Sequence, residues 1–178
     1  MLADPRQSRV VLLNLARGSV AGGAGAFAAQ RDEGLALLPI CRDILGVRSI
    51  AFGAHWPGLC AAEVAAAIES FESDALSPWH DPAFSAQLAE ADAGIVFFGG
   101  GYLEEEVLVA ALEGARRGYE VRLLADLAFA RREADRQLVV NRLAHHGIVT
   151  TTIRQALFEW AAALDDRELM LRIQRLLS

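Results

Sequence analysis

The chain contains no lysine, since all 17 of its lysine-plus-arginine side chains are arginines. No step of its chemistry can therefore use a lysine amine as base, nucleophile or charge clamp. Cysteine is scarce as well. Cys41 and Cys60 lack the close spacing of a metal site, so two reduced thiols in a cytoplasmic protein are expected. Long apolar runs are missing: residues 10–15 and 94–98 fall far short of the roughly 20 that a bilayer requires. Positive charge is in deficit too. A net charge of −6 without clustered basic residues excludes the usual nucleic-acid footprint. The opening Met1-Leu2-Ala3-Asp4-Pro5 lacks a basic region followed by an apolar stretch, so no signal peptide is expected.

What is present is globular. The 178 residues are 53% hydrophobic and 22% charged, which suits one domain with a sizeable core. Residues 10–15 form a β-prone run of the kind buried on both faces. The glycine- and alanine-rich stretch 18–29 reads as a loop, and its Gly23-x-Gly25 pattern lacks the helix and acidic partner of a nucleotide fingerprint. Helical spacing follows over 35–45, stopped by Gly46, then a strand over 48–52 and a helix over 60–71. Residues 73–84 read as a surface loop and 84–89 as a short helix. Residues 94–98 form the clearest later strand, turned by Gly99, Gly100 and Gly101 into a helix over 104–117. That helix opens on Glu104, Glu105 and Glu106 and closes on Arg116 and Arg117, as the helix dipole favours. Strands over 119–125 and 148–151 then alternate with helices over 132–145, 154–164 and 167–177.

Strand–helix alternation of this kind predicts an α/β fold, a three-layer α-β-α sandwich around a mostly parallel sheet. Ligands of such sheets bind beyond the carboxyl ends of the strands. Those ends are residues 14–17, 53–57, 98–106 and 126, which are expected to converge on one pocket. Gly100, Gly101 and Tyr102 are candidate ligand contacts there. So are His55, Trp56 and Trp79, because His55-Trp56 and Trp79-His80 lie in predicted loops. His80 and Asp81 form a candidate acid/base pair, with a solvated loop as the plainer alternative. Neither a metal nor a cofactor is expected.

Gly118-Tyr119-Glu120-Val121, Ala125-Asp126 and the run from His146 to Thr152 resemble the second half of the isochorismatase-like hydrolases. Ala156-Leu157-Phe158-Glu159-Trp160 is similar to the branch of unassigned specificity, and Asn14 and His55-Trp56-Pro57 to the family's first half. The resemblance spans roughly residues 8–164. It implies an isochorismatase-like, Rossmann-like fold, a homo-oligomer, and a site made of an aspartate, a lysine and a cysteine nucleophile at a helix N-terminus. Here Asn14 holds the aspartate position, Glu106 the cysteine position, and no lysine lies near 79–81. A carboxylate held by helix amides attacks poorly, and an amide is no base. The resemblance thus implies a homologue without thiol hydrolysis that binds a small molecule or a partner. The alternative is an enzyme with a rebuilt acid/base site on Glu106, Asn14 or His80–Asp81. The glycine turn also resembles the phosphate loop of the "lysine decarboxylase-like" family, and a scaffolding role is a further possibility.

Overall fold

A computed structural model describes residues 2–20, 26–54, 58, 60–75 and 77–178. At its centre is a six-stranded sheet in which every pairing is parallel, in the order β3-β2-β1-β4-β5-β6. The strands are β1 (Ser8–Leu13), β2 (Arg48–Phe52), β3 (Ile68–Phe71), β4 (Ile95–Tyr102), β5 (Glu120–Phe129) and β6 (Val149–Thr151). Helices α1 (Leu15–Val20), α2 (Ala26–Leu35), α3 (Leu38–Leu45) and α4 (Ala62–Ala66) occupy the first half. The second half holds α5 (Pro82–Glu90), α6 (Leu108–Arg116), α7 (Glu133–His145), α8 (Ile153–Ala163) and α9 (Arg167–Leu176).

Strand periodicity divides the core between the two faces of the sheet. Val10 and Leu12 of β1 turn to one side, where α3, α8 and α9 pack through Leu38, Cys41, Trp160 and Ile173. Val11 and Leu13 turn to the other, against Phe84, Leu88, Ala110 and Leu143 of α5, α6 and α7. That is the three-layer α/β arrangement expected from the alternation of elements. On the first side, the indole of the fully buried Trp160 lies edge-on to Phe97, 4.9 Å between centroids, and donates to Ser8 Oγ at 3.0 Å. No helix among the described residues is long and apolar enough to cross a membrane.

Several boundaries differ from the sequence reading. The helix expected over 60–71 is only α4, because Ile68–Phe71 pairs with β2 and puts Phe71 on Phe52 at 5.4 Å. The alanine-rich run hid an edge strand. Of residues 18–29, expected as loop, 18–20 end α1 and 26–29 open α2, while Gly23-x-Gly25 lies outside the described residues. The expected loop 73–84 instead carries a 3₁₀ turn, Pro78–His80, and buries Trp79 and Phe84.

The largest correction concerns the glycines. They do not turn the chain: β4 runs through them to Tyr102, a π-helical turn Leu103–Val107 follows, and α6 starts at Leu108. Gly100 makes this possible. Its φ is +93°, and a Cβ there would lie 2.3 Å from the Leu13 carbonyl oxygen. The two central strands can therefore touch only if position 100 has no side chain. β5 is longer than expected as well, reaching Phe129 through an irregularity in which Phe98 pairs with Leu123 but Gly100 with Ala128. Arg136 satisfies carbonyls that the irregularity frees, donating to Ala125 and Ala128 at 3.2 Å.

Candidate functional site

In a 3-2-1-4-5-6 sheet the chain reverses its direction of winding between the first and fourth strands, and their carboxyl ends open a crevice. A cleft of about 630 Å³ lies there. Asn14 and Arg17 enter it from beyond β1, Ala54 from beyond β2, and Glu105 and Glu106 from the π-helical turn after β4. Ser73, Asp74, Ala75, Ser77 and His80 make the opposite wall, and Val109 of α6 adds an apolar patch.

Glu106 sits at the heart of this cluster. Its side chain is only 7% exposed and lies on Gly101, where a Cβ would fall 2.1 Å from Oε1. Asn14 Nδ2 donates to Oε1 at 3.4 Å, and Arg17 Nη1 reaches Oε2 at 3.5 Å. Asn14 is itself fixed in the left-handed region, φ 44°, which asparagine tolerates better than most residues. Its Oδ1 accepts the Ala54 N–H at 3.0 Å, above Gly53, where any Cβ would collide with that oxygen. An amide thus links the ends of β1, β2 and β4.

The glutamates are not the dipole complement of α6 that the sequence suggested. Glu105 has φ −111° and ψ −105°, outside the helical region. Glu104 accepts the Arg131 N–H at 2.7 Å, and the Arg131 guanidinium bonds Glu105 while lying 4.0 Å over the Tyr102 ring. That hydrogen bond from Arg131 holds the Glu105 carboxyl below its ordinary range. Arg131, through its backbone N–H to Glu104 and its guanidinium to Glu105, satisfies these two acids in place of helix amides. Gly100 and Gly101 are filled by β1 and Glu106, and Tyr102 is 9% exposed.

The expected His80–Asp81 pair is not formed. Asp81 caps α5, accepting from Ala83 N and Phe84 N, and Ser73 Oγ donates to it at 2.8 Å. The hydrogen bond from Ser73 is the main cause that lowers its carboxyl. His80 instead places Nε2 3.3 Å from Oε1 of Glu113, a residue of α6 whose other oxygen accepts from Ser77 Oγ. Glu113 was missed because it is remote in sequence and sits mid-helix. Trp79 faces the core, donating to the Ala110 carbonyl at 2.7 Å, so it is not a wall of the cleft. His55 and Trp56 lie outside the described residues. Neither cysteine lines the cleft: Cys41 lies on the core face of α3, and burial pushes both thiols up. Among the described residues no group of three or more His, Cys, Asp or Glu is placed to hold a metal ion.

Asp126 also leaves the expected pocket. It is buried at the far side of β5, where its carboxylate accepts the Ile153 N–H at the start of α8 at 3.0 Å. Burial raises its pKa above the ordinary 3.8, outweighing that hydrogen bond. The folded chain therefore binds this proton more tightly than the unfolded chain, and stability falls as pH rises between the two pKa values. Asp126→Asn keeps an acceptor without the charge. It should raise the Tm at pH 7, with the advantage fading as the pH falls through that window. An equal Tm difference at every pH would show that charge burial is not the cause.

No protein-family model matches the sequence, and no curated protein matches it. Solved structures do match. The MAR1 ribonuclease of Caenorhabditis elegans superimposes with a TM-score of 0.79 at 18% identity, covering 99% of this chain and 92% of that one. The YcaC gene product of Escherichia coli, described as an octameric hydrolase of unknown specificity, gives 0.70 at 15% identity, covering 99% and 98%. An isochorismatase family protein from Desulfovibrio vulgaris gives 0.63 at 13%, covering 90% and 97%. Over nearly its whole length, the chain has the isochorismatase-like α/β fold.

Proposed function

We propose that this chain is a divergent isochorismatase-like protein that has lost thiol hydrolysis and holds a small polar molecule in the cleft over Asn14 and Glu106. The observation that carries this reading is the seat of Glu106. At the junction of β4 and α6, where the resemblance implies a thiol, stands a carboxylate packed on Gly101 and bonded by Asn14 and Arg17. A carboxylate with donors on both oxygens is a weak nucleophile, and it fills the space where an oxyanion would form. Asn14 supplies no base in place of an aspartate. A cytoplasmic location, where thiols stay reduced, agrees with two free cysteines.

No turnover of isochorismate, nicotinamide or N-carbamoyl amines above background is expected. The protein incubated with a mixture of small carboxylates, amides and nucleotides should show crystallographic density beside Asn14 and Glu106. Robust turnover that Glu106→Ala abolishes would overturn the reading. So would a cleft left empty by the whole mixture.

A second reading has its own support. His80 lines the cleft, and its Nε2 lies 3.3 Å from Glu113 Oε1, a carboxylate beside a cleft imidazole. That is the arrangement of an acid/base enzyme with a rebuilt site. A pH–rate profile unmoved by Glu113→Gln and His80→Gln would remove it. Self-association belongs to the proposal too, since the E. coli neighbour is an octamer and Leu138, Val149, Leu171 and Leu176 are exposed. A monomer by light scattering would remove that part.

A further inference from the structure

The charge of the cleft is lopsided. Among the described residues Asp74, Glu105 and Glu106 line it, against Arg17 as the one arginine. Two of the three acids are accounted for by their surroundings, since Asp74 is exposed to water and Glu105 is engaged by Arg131. Glu106 is not so well served. It is nine-tenths buried, yet its polar contacts are an amide at 3.4 Å and a guanidinium at 3.5 Å. Both exceed the 2.7–2.9 Å typical of a charge-assisted bond, and a carboxylate offers about four acceptor sites. The shallow contacts leave this anion with unused capacity in a cavity large enough for a small molecule.

Arg17 indicates which group the corner accepts. Its guanidinium is half exposed and lies 3.5 Å from Glu106 and 3.8 Å from Glu105, a planar cation loosely held between two carboxylates. A group so placed is easily displaced. Beside it, Val109, Ala54 and Ala75 give an apolar surface for the body of a ligand. We infer that the cleft takes a small ligand presenting an amidinium or guanidinium group to Glu106, in place of the Arg17 guanidinium. This rests on the reading of the cleft as a ligand site and gives it a chemical class. A planar cation can bond both Glu106 oxygens at once, whereas a carboxylate ligand would face Glu106 and Asp74 across the cleft.

Benzamidine, benzamide and benzoate test it, because they share a shape and differ in charge. Each is titrated into the isotope-labelled full chain while amide resonances are followed by NMR. Benzamidine should shift residues 14–17, 54 and 105–109 and bind on the order of tenfold more tightly than benzamide, about 1.4 kcal/mol. Benzoate should bind most weakly, and added salt should narrow the series. Glu106→Gln should bring benzamidine to the level of benzamide. Arg17→Gln, which removes the internal competitor, should tighten benzamidine several-fold, the opposite sign from a structural loss. Should Glu106→Gln not fold, the wild-type series and Arg17→Gln decide alone. Equal or tighter binding of benzamide or benzoate in the cleft overturns the cationic class while leaving the cleft a ligand site. Benzamidine shifts confined to residues elsewhere, or no binding at its solubility limit, also overturn it. Density from the ligand mixture then reads the wider proposal separately.

Discussion

Gly100→Ala is expected to cost on the order of 4–5 kcal/mol or to leave no folded protein at all. A Cβ at this position would lie 2.3 Å from the Leu13 oxygen, 2.4 Å from the Leu13 nitrogen and 3.0 Å from the Leu12 carbonyl carbon. All three are backbone atoms of β1, which is hydrogen-bonded on one side to β2 and on the other to β4. No rotamer change relieves such a contact, so the sheet itself has to open. Gly118 supplies the control, because it shares the φ of +93° and has nothing within 4 Å of its virtual Cβ. Gly118→Ala carries only the left-handed backbone penalty, about 1–2 kcal/mol. Urea denaturation of the two variants therefore separates strand contact from dihedral strain. Equal losses would mean that β4 does not need the missing side chain to approach β1.

Trp79→Ala is expected to cost about 3–5 kcal/mol. The indole is 4% exposed and packs edge-on to Phe84 at 5.6 Å and Phe98 at 6.0 Å, with Tyr119 at 4.9 Å. Its Nε1 bonds the Ala110 carbonyl, and its six-membered ring fills the space that Gly114 leaves on α6. Truncation removes the peg that joins the 3₁₀ turn to α6, and the neighbouring rings can close the void only in part. Trp79→Phe retains ring packing and gives up the hydrogen bond, so it should cost roughly 1–2 kcal/mol. A ligand contact would behave differently: its removal would change binding and leave the denaturation midpoint almost where it was.

The same residue shows where the sequence reading ran out. Trp79 sits between Pro78 and His80 in a polar, proline-bearing stretch, and local composition there resembles a loop. Its burial is decided by Gly114 and Ala110, more than thirty residues away, which no local pattern registers. Asp81 was misassigned for a related reason: adjacency to His80 suggested a pair, while Pro82 behind it marks a helix start. By contrast the parallel sheet was readable from β1, β2 and β4, whose apolar runs carry their own burial signal. The meeting of Asn14 with Glu106, 92 residues apart, was readable from the expected convergence of the strand ends and from the resemblance, and from no local pattern. Glu104, Glu105 and Glu106 followed helix-start statistics, yet Arg131 and Arg17, distant in the chain, took them.

The two rims of the sheet are blunt. β3 has four residues, with Glu69 pointing outward and tied to Arg48, and β6 has three. Strands so short, one of them charged, give a neighbouring molecule little backbone to zip onto. Copies of the chain that associate are thus steered towards helix faces, away from a sheet continued across subunits. The long strands, β4 and β5, are shut in the middle, and β4 holds an uncharged Ile-Val-Phe-Phe run at residues 95–98. Opening the sheet at Gly100 would release those strands, of the composition that stacks into amyloid-like assemblies. Variants that loosen the β1–β4 seam are therefore expected to disappear into inclusion bodies rather than persist as soluble, partly folded chains.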